Sequence, residues 1–228
     1  MKKDSKIATL ISLFSIGLGV LIFLDILPFL FVWASLVATN SNDMILLQKK
    51  AIKTSTFKFQ KIYTRTSALS SLYLTENYDD VIKYYEDLEK LNSVDNMSTL
   101  LVINSYLATG NFDKALEYAK TTNKKSILAK VYIKRQEFDK AKPIVEEMLQ
   151  SNKKQLTAYL YKAEILIHEN KWVEAESYVN KILNSNPNYL EALYLKAKIL
   201  QKQNKPEEAK KFESRAKIIE LKRNSLYK

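Results

Sequence analysis

The chain's only histidine, His168, is the first side chain to test for catalysis. An imidazole works as a general base beside the group it deprotonates, usually with an orienting acid behind it. His168 has no Ser or Cys nucleophile near it with such an acid. There is no Cys, which excludes disulfides, thiolate chemistry and most zinc sites, and one His excludes a multi-histidine metal cluster. The acid pairs Glu146–Glu147 and Glu207–Glu208 are sequence neighbours, so on a helix they diverge instead of converging on a substrate. Three glycines, Gly17, Gly19 and Gly110, cannot build a phosphate-binding loop. The reading is of a non-enzymatic protein with no cofactor, no metal and no small-molecule substrate.

What chemistry remains is that of cations. The formal net charge is +11, of which residues 1–40 hold +1 and the remainder +10. A basic domain suits acidic protein segments, anionic lipid headgroups or nucleic acid. Its lysines are scattered, as on a solvated helix surface, and no nucleic-acid recognition motif or tight basic stripe accompanies them. Nucleic acid is therefore not the expected partner.

The elements that must carry these side chains begin with an apolar run. From Ile7 to Val37 a single charge, Asp25, interrupts "IATLISLFSIGLGVLIFLDILPFLFVWASLV". About 20 apolar residues cross a bilayer as helix, whereas the core of a cleaved signal peptide is about 7–15 residues. The run is expected to be an uncleaved transmembrane helix, with Asp25–Pro28 as the place for any kink. Asp25 then lies either at an interface or within the hydrocarbon, where it would need a partner from another subunit. Lys2, Lys3 and Lys6 favour a cytoplasmic N-terminus and an extracytoplasmic (periplasmic) remainder, the alternative being a cytoplasmic one. The expected organisation is a basic flank over 1–6, an anchor over 7–38, a juxtamembrane linker or helix over 39–57 and a helical domain over 58–228.

Within that domain five segments align: "ENYDDVIKYYEDL", "GNFDKALEYAKTT", "QEFDKAKPIVEEM", "NKWVEAESYVNKI" and "NKPEEAKKFESRA". Tyr78, Phe112, Phe138, Trp172 and Pro206 enter a helix, and Val81, Ala115, Ala141, Ala175 and Ala209 follow three positions later. The first of these sets recurs at intervals of 34, 26, 34 and 34 along the chain, a period that means stacked supersecondary units. The aromatic plugs the corner, the small residue lets two antiparallel helices approach, and neighbours must stack to bury the apolar faces. The interval of 26 is eight short, which removes about two helical turns around "AKTTNKKS". It predicts truncated helices on both sides and a division into an N-terminal pair and a C-terminal trio.

This pattern resembles the tetratricopeptide repeat family over five helix pairs from about Phe59 to Lys222. Where the family carries Trp in the first helix, this chain has Arg65, Thr99, Lys125, Tyr159 and Leu193; where it carries Gly, Leu69, Ile103, Ala129, Ala163 and Ala197. The fold class expected is thus all-α, an N-terminal transmembrane helix followed by an α-solenoid. The resemblance implies a groove lined by the first helices that binds protein partners. Carried over residue by residue, that groove comprises Tyr63, Thr66, Ser70 and Tyr73, then Leu100, Asn104 and Leu107, then Lys130 and Lys134. Leu160, Glu164 and Ile167 follow, with His168 beside them, then Tyr194, Lys198 and Lys202. Of the paired groups with which some relatives grip a C-terminal carboxylate, Asn104 alone has a counterpart.

The function expected is that of a membrane-anchored adaptor or scaffold that binds partner proteins and supports assembly or stability of a membrane or envelope complex. An accessory subunit that contacts its complex mainly through Asp25 is one alternative. A basic domain binding anionic lipid or nucleic acid is the other.

Overall fold

The computed structural model describes residues 25–38, 40–151 and 155–225, and among these every regular element is a helix. Residues 25–36 form α1. There follow α2 (Ser41–Thr54), α3 (Lys58–Leu74), α4 (Tyr78–Lys90), α5 (Asn96–Ala108) and α6 (Phe112–Thr121). Then come α7 (Lys125–Lys134), α8 (Phe138–Ser151), α9 (Leu156–His168), α10 (Trp172–Ser185), α11 (Leu190–Lys202) and α12 (Pro206–Ser225). The predicted entry residues Tyr78, Phe112, Phe138, Trp172 and Pro206 each open the second helix of a pair. The small residues behind them, Val81, Ala115, Ala141, Ala175 and Ala209, are all buried.

The five turns between paired helices share one backbone device. Glu76, Gly110, Gln136, Asn170 and Asn204 stand two positions before the entry residue, each with φ between 58° and 78°. Left-handed geometry at this point lets the residue's own amide and the next one turn back onto the helix just ended. The N–H of Asn77 reaches the Leu72 carbonyl at 2.8 Å, that of Glu137 the Tyr132 carbonyl at 2.9 Å, and that of Lys171 the Leu166 carbonyl at 2.9 Å. Asn111 to Tyr106 and Lys205 to Leu200 complete the set.

The chain divides into two compact units with the boundary between Ser105 and Tyr106, inside α5. In the first unit, α2 packs on α3 and α3 on α4, around Ile52, Ala68, Leu69, Leu72, Val81, Tyr84 and Leu88. In the second, a continuous core runs from Ala129 in α7 to Ile199 in α11. Its first helices lie side by side, α7 on α9 and α9 on α11, with α8 and α10 behind them. Ala197 and Leu200 then pack on Ala209 and Phe212 of α12.

The short interval acts as predicted on helix length: α6 and α7 have 10 residues each, against 13 or 14 in α8 to α11. The division expected there falls elsewhere. α6 and α7 stay packed together within the second unit, tied by an ion pair between Arg135 and Asp113, and the boundary lies one helix earlier.

The expected transmembrane anchor and the localisation built on it are not supported. Among the described residues no helix is long and apolar enough to cross a membrane. One face of α1, with Pro28, Val32 and Ser35, is buried. Phe29 lies 5.1 Å from the Tyr63 ring and 6.0 Å from that of Phe59. Fully buried Gln60 fixes the dock: its Nε2 donates to the Asp25 carbonyl at 2.8 Å. Its Oε1 accepts from the Thr56 and Phe57 amides that open α3. Apolar sequence here meets protein on that face, while Ile26, Leu30 and Trp33 point outward. The remainder of the expected segment, residues 7–24, lies outside the described residues.

Candidate partner-binding face

In the second unit the predicted groove residues fall on α7 at i, i+4, on α9 at i, i+4, i+7 and on α11 at i, i+4, i+8, positions that place each set on one side of its helix. Because the three helices lie in contact order, their charged members meet. Glu164, half-buried, feels Lys134, Lys130 and Lys198 together with Glu191. Burial raises its carboxyl above the ordinary carboxylate range, the lysines acting against that and Glu191 adding to it. Lys130 is half-buried, and its ammonium is pushed down first by burial and then by Lys134. Lys134, Lys198 and Lys202 are exposed. The result is a partly dehydrated carboxyl group acted on by three ammonium groups, on a surface with an excess of positive charge.

Two tyrosines border this cluster. Burial pushes the Tyr161 hydroxyl up, and the neighbouring Glu164, Tyr189 and Glu191 push it further. Tyr189 is raised by burial and by Glu191, while its hydrogen bond with Thr157 opposes that. Neither tyrosine, nor Glu191, was legible as part of the face. Glu191 did carry a signal, since Tyr194 and Lys198 stand at its i+3 and i+7 positions on α11.

The other predicted positions divide by environment. Leu160 and Ile167 are buried, 7% and 6% exposed, and belong to the core instead of an open surface. Tyr194 is exposed, with its hydroxyl donating to Glu220 at 2.8 Å. His168 stacks on Phe138 with ring centroids 4.0 Å apart, an aromatic contact at the corner of the preceding pair. In the first unit Thr66 and Ser70 are exposed, Tyr63 lies against Phe29, and Tyr73 meets Tyr78 edge-on at 5.6 Å. Leu100 and Asn104 are half-buried on α5, as is Leu107 beyond the unit boundary. The side chain of Asp25 is exposed.

Stacked antiparallel helix pairs with a shared left-handed turn and a common register define an α-solenoid of repeats. Residues 132–199 match the family model of the tetratricopeptide repeat, so this stretch of the chain is a run of such repeats. The fold agrees with a solved structure, TTC0263, a thermophilic TPR protein in Thermus thermophilus. It shares 16% identity over 72% of this chain and 97% of that one, at a TM-score of 0.60. Also similar are MamA MSR-1 and YrrB. MamA MSR-1 has 18% identity over 72% of this chain and 98% of its own, TM-score 0.46. YrrB, described as a TPR protein with an unusual peptide-binding site, has 16% identity over 75% and 91%, TM-score 0.44. No curated protein sequence matches the chain.

Proposed function

We propose that this chain is a non-enzymatic adaptor that docks partner proteins on its first helices and so supports the assembly or stability of a protein complex. The face on α7, α9 and α11 is read as taking an acidic segment of the partner. One observation carries this: Glu164 and Lys130 are charged groups held half-buried, with Lys134 and Lys198 acting on Glu164. A surface that served only as solvated helix would leave Glu164 and Lys130 in water. Here dehydrated charge is kept on the face of three helices in contact, and an arriving carboxylate meets Lys130, already partly desolvated and so more strongly interacting, beside the exposed Lys134 and Lys198. Tyr194 and Tyr189 supply aromatic contact area beside them.

The test is affinity capture from cells of origin on the full chain and on a Lys134→Glu, Lys198→Glu, Lys202→Glu variant of equal helix content. Proteins retained by the native chain and lost by the variant are expected. Recovery of the same proteins by both, or of none by either, would overturn the reading.

A further inference from the structure

The charged positions of the α7, α9 and α11 face repeat in register. Lys130, Glu164 and Lys198 stand 34 residues apart, as do Lys134, His168 and Lys202 one helical turn on. The two outer helices thus each offer a pair of ammonium groups, Lys130 with Lys134 and Lys198 with Lys202. The middle helix offers the Glu164 carboxyl group and His168, whose ring is stacked on Phe138. Across the face the row reads base, acid, base. These groups are held differently from others on the same helices. Two residues before Glu164 and Lys198 stand Lys162 and Lys196. Lys162 pairs with Glu146 of α8, and Lys196 with Glu176 of α10 at 2.6 Å, so both join one repeat to the next. Glu164, Lys134 and Lys198 take no hydrogen bond and no ion pair among the described residues. Glu164 feels the lysines across space without being tied to any of them. Half-burial has removed part of its water, and no side chain supplies the donor in its place.

Spacing then limits the form of a ligand that crosses the three helices. Packed helices stand about 8–10 Å apart. A polyproline-II chain returns its side chains to one direction every three residues, a rise of about 9 Å. A β-strand does so every two residues, about 6.6 Å, and falls out of step. We propose, resting on the acidic-segment reading of this face, that its ligand is a polyproline-II segment with an acidic, a basic and an acidic residue at i, i+3 and i+6. Each outer carboxylate meets a pair of lysines, on α7 at one end and on α11 at the other. The central Lys or Arg gives Glu164 the donor it lacks and favours its charged form. Glu191, which also acts on Glu164, adds to the call for a cation at the centre. The middle position therefore sets specificity, and the outer two supply attraction.

The probes are blocked peptides of Pro and Ala with three variable positions, each three residues from the next: Glu–Lys–Glu, Glu–Ala–Glu, Glu–Glu–Glu and Lys–Glu–Lys. Fluorescence anisotropy is read with the full chain at about 0.15 M salt, where exposed charges more than about 8 Å apart are largely screened and the local match decides. Glu–Lys–Glu should bind at least about fivefold more tightly than Glu–Ala–Glu or Glu–Glu–Glu, and Lys–Glu–Lys should not bind. Glu164→Gln should abolish that preference. Lys134→Glu with Lys198→Glu, both at exposed positions, should remove binding of every peptide. Circular dichroism checks that each variant keeps its helix content. Equal or tighter binding of Glu–Ala–Glu or Glu–Glu–Glu by the native chain, or a preference that survives Glu164→Gln, would overturn the charge pattern and leave the acidic-segment reading standing. Binding of Lys–Glu–Lys, no binding of any peptide with outer Glu, or binding indifferent to the lysine changes would overturn both.

Discussion

Lys196 on α11 holds its ammonium 2.6 Å from the Glu176 carboxylate on α10, an ion pair between two repeats with both side chains largely withdrawn from water. Asn180 accepts a second hydrogen bond from the same ammonium, and the Phe212 ring lies 5.8 Å beneath it. Breaking one partner of a buried pair leaves the other charge uncompensated. Glu176→Ala is expected to cost about 2–4 kcal/mol in urea unfolding. Lys196→Met should cost less, because Glu176 stays partly exposed and bonded to Gln203.

The same pair sets a pH dependence. The hydrogen bond from Lys196, then that from Gln203, holds the Glu176 carboxyl below the usual carboxylate range. A depressed carboxylate stabilises the fold above its unfolded pKa of about 4.3 and loses that contribution as pH falls through its lower folded value. The stability gap between the native chain and Glu176→Gln should therefore be full at neutral pH and close on acidification below about pH 4. A gap that persists undiminished well below that pH would refute this.

Glu164 predicts the opposite sign. Burial raises its pKa, so the folded chain holds that proton more tightly than the unfolded one and stability declines as pH rises through the interval between the two values. Glu164→Gln is expected to raise the urea midpoint at neutral pH and to have no such effect below about pH 4.

At the turns, Glu76 and Gln136 hold φ of 61° and 62°, conformations that cost an L-residue about 1–2 kcal/mol. Glycine relieves that strain but gives back part of the gain through its freer unfolded chain. Glu76→Gly and Gln136→Gly should each stabilise by about 0.5–1 kcal/mol. Gly110→Ala should lower stability by a similar amount through φ alone, since a Cβ there meets nothing within 4 Å.

Ala141 and Ala175 are wholly buried in the core between paired helices. Ala141→Leu or Ala175→Leu should cost about 1–3 kcal/mol by forcing the pair apart, read as a lower thermal midpoint.

Most of the helix pairing was legible before any coordinates, since each pair is set by neighbours in sequence. The entry residue, the small residue three positions on and the polar turn all act within one or two helical turns, and they open α4, α6, α8, α10 and α12 where expected. Partner-facing chemistry was less legible. Lys130 and Lys134 are one helical turn apart on α7, yet one is half-buried and the other exposed. Leu160 and Ile167 lie in the core, though they share a stripe with Glu164. Which side of a helix its neighbours cover depends on how helices cross, and i, i+4 spacing carries no information about that.

The amino-acid order by itself determined the helices, their turns and the repeat register, because capping, left-handed closure and small-residue contact are local forces. Only the tertiary structure decided what the apolar residues after Asp25 pack against, where the chain divides, and which charges meet between repeats. Hydropathy measures flight from water and does not distinguish lipid from protein. Gln60 settles part of that by hooking the Asp25 carbonyl across 35 residues. Lys142 finds Glu169, and Glu176 finds Gln203, only because stacked repeats bring side chains 27 residues apart within reach.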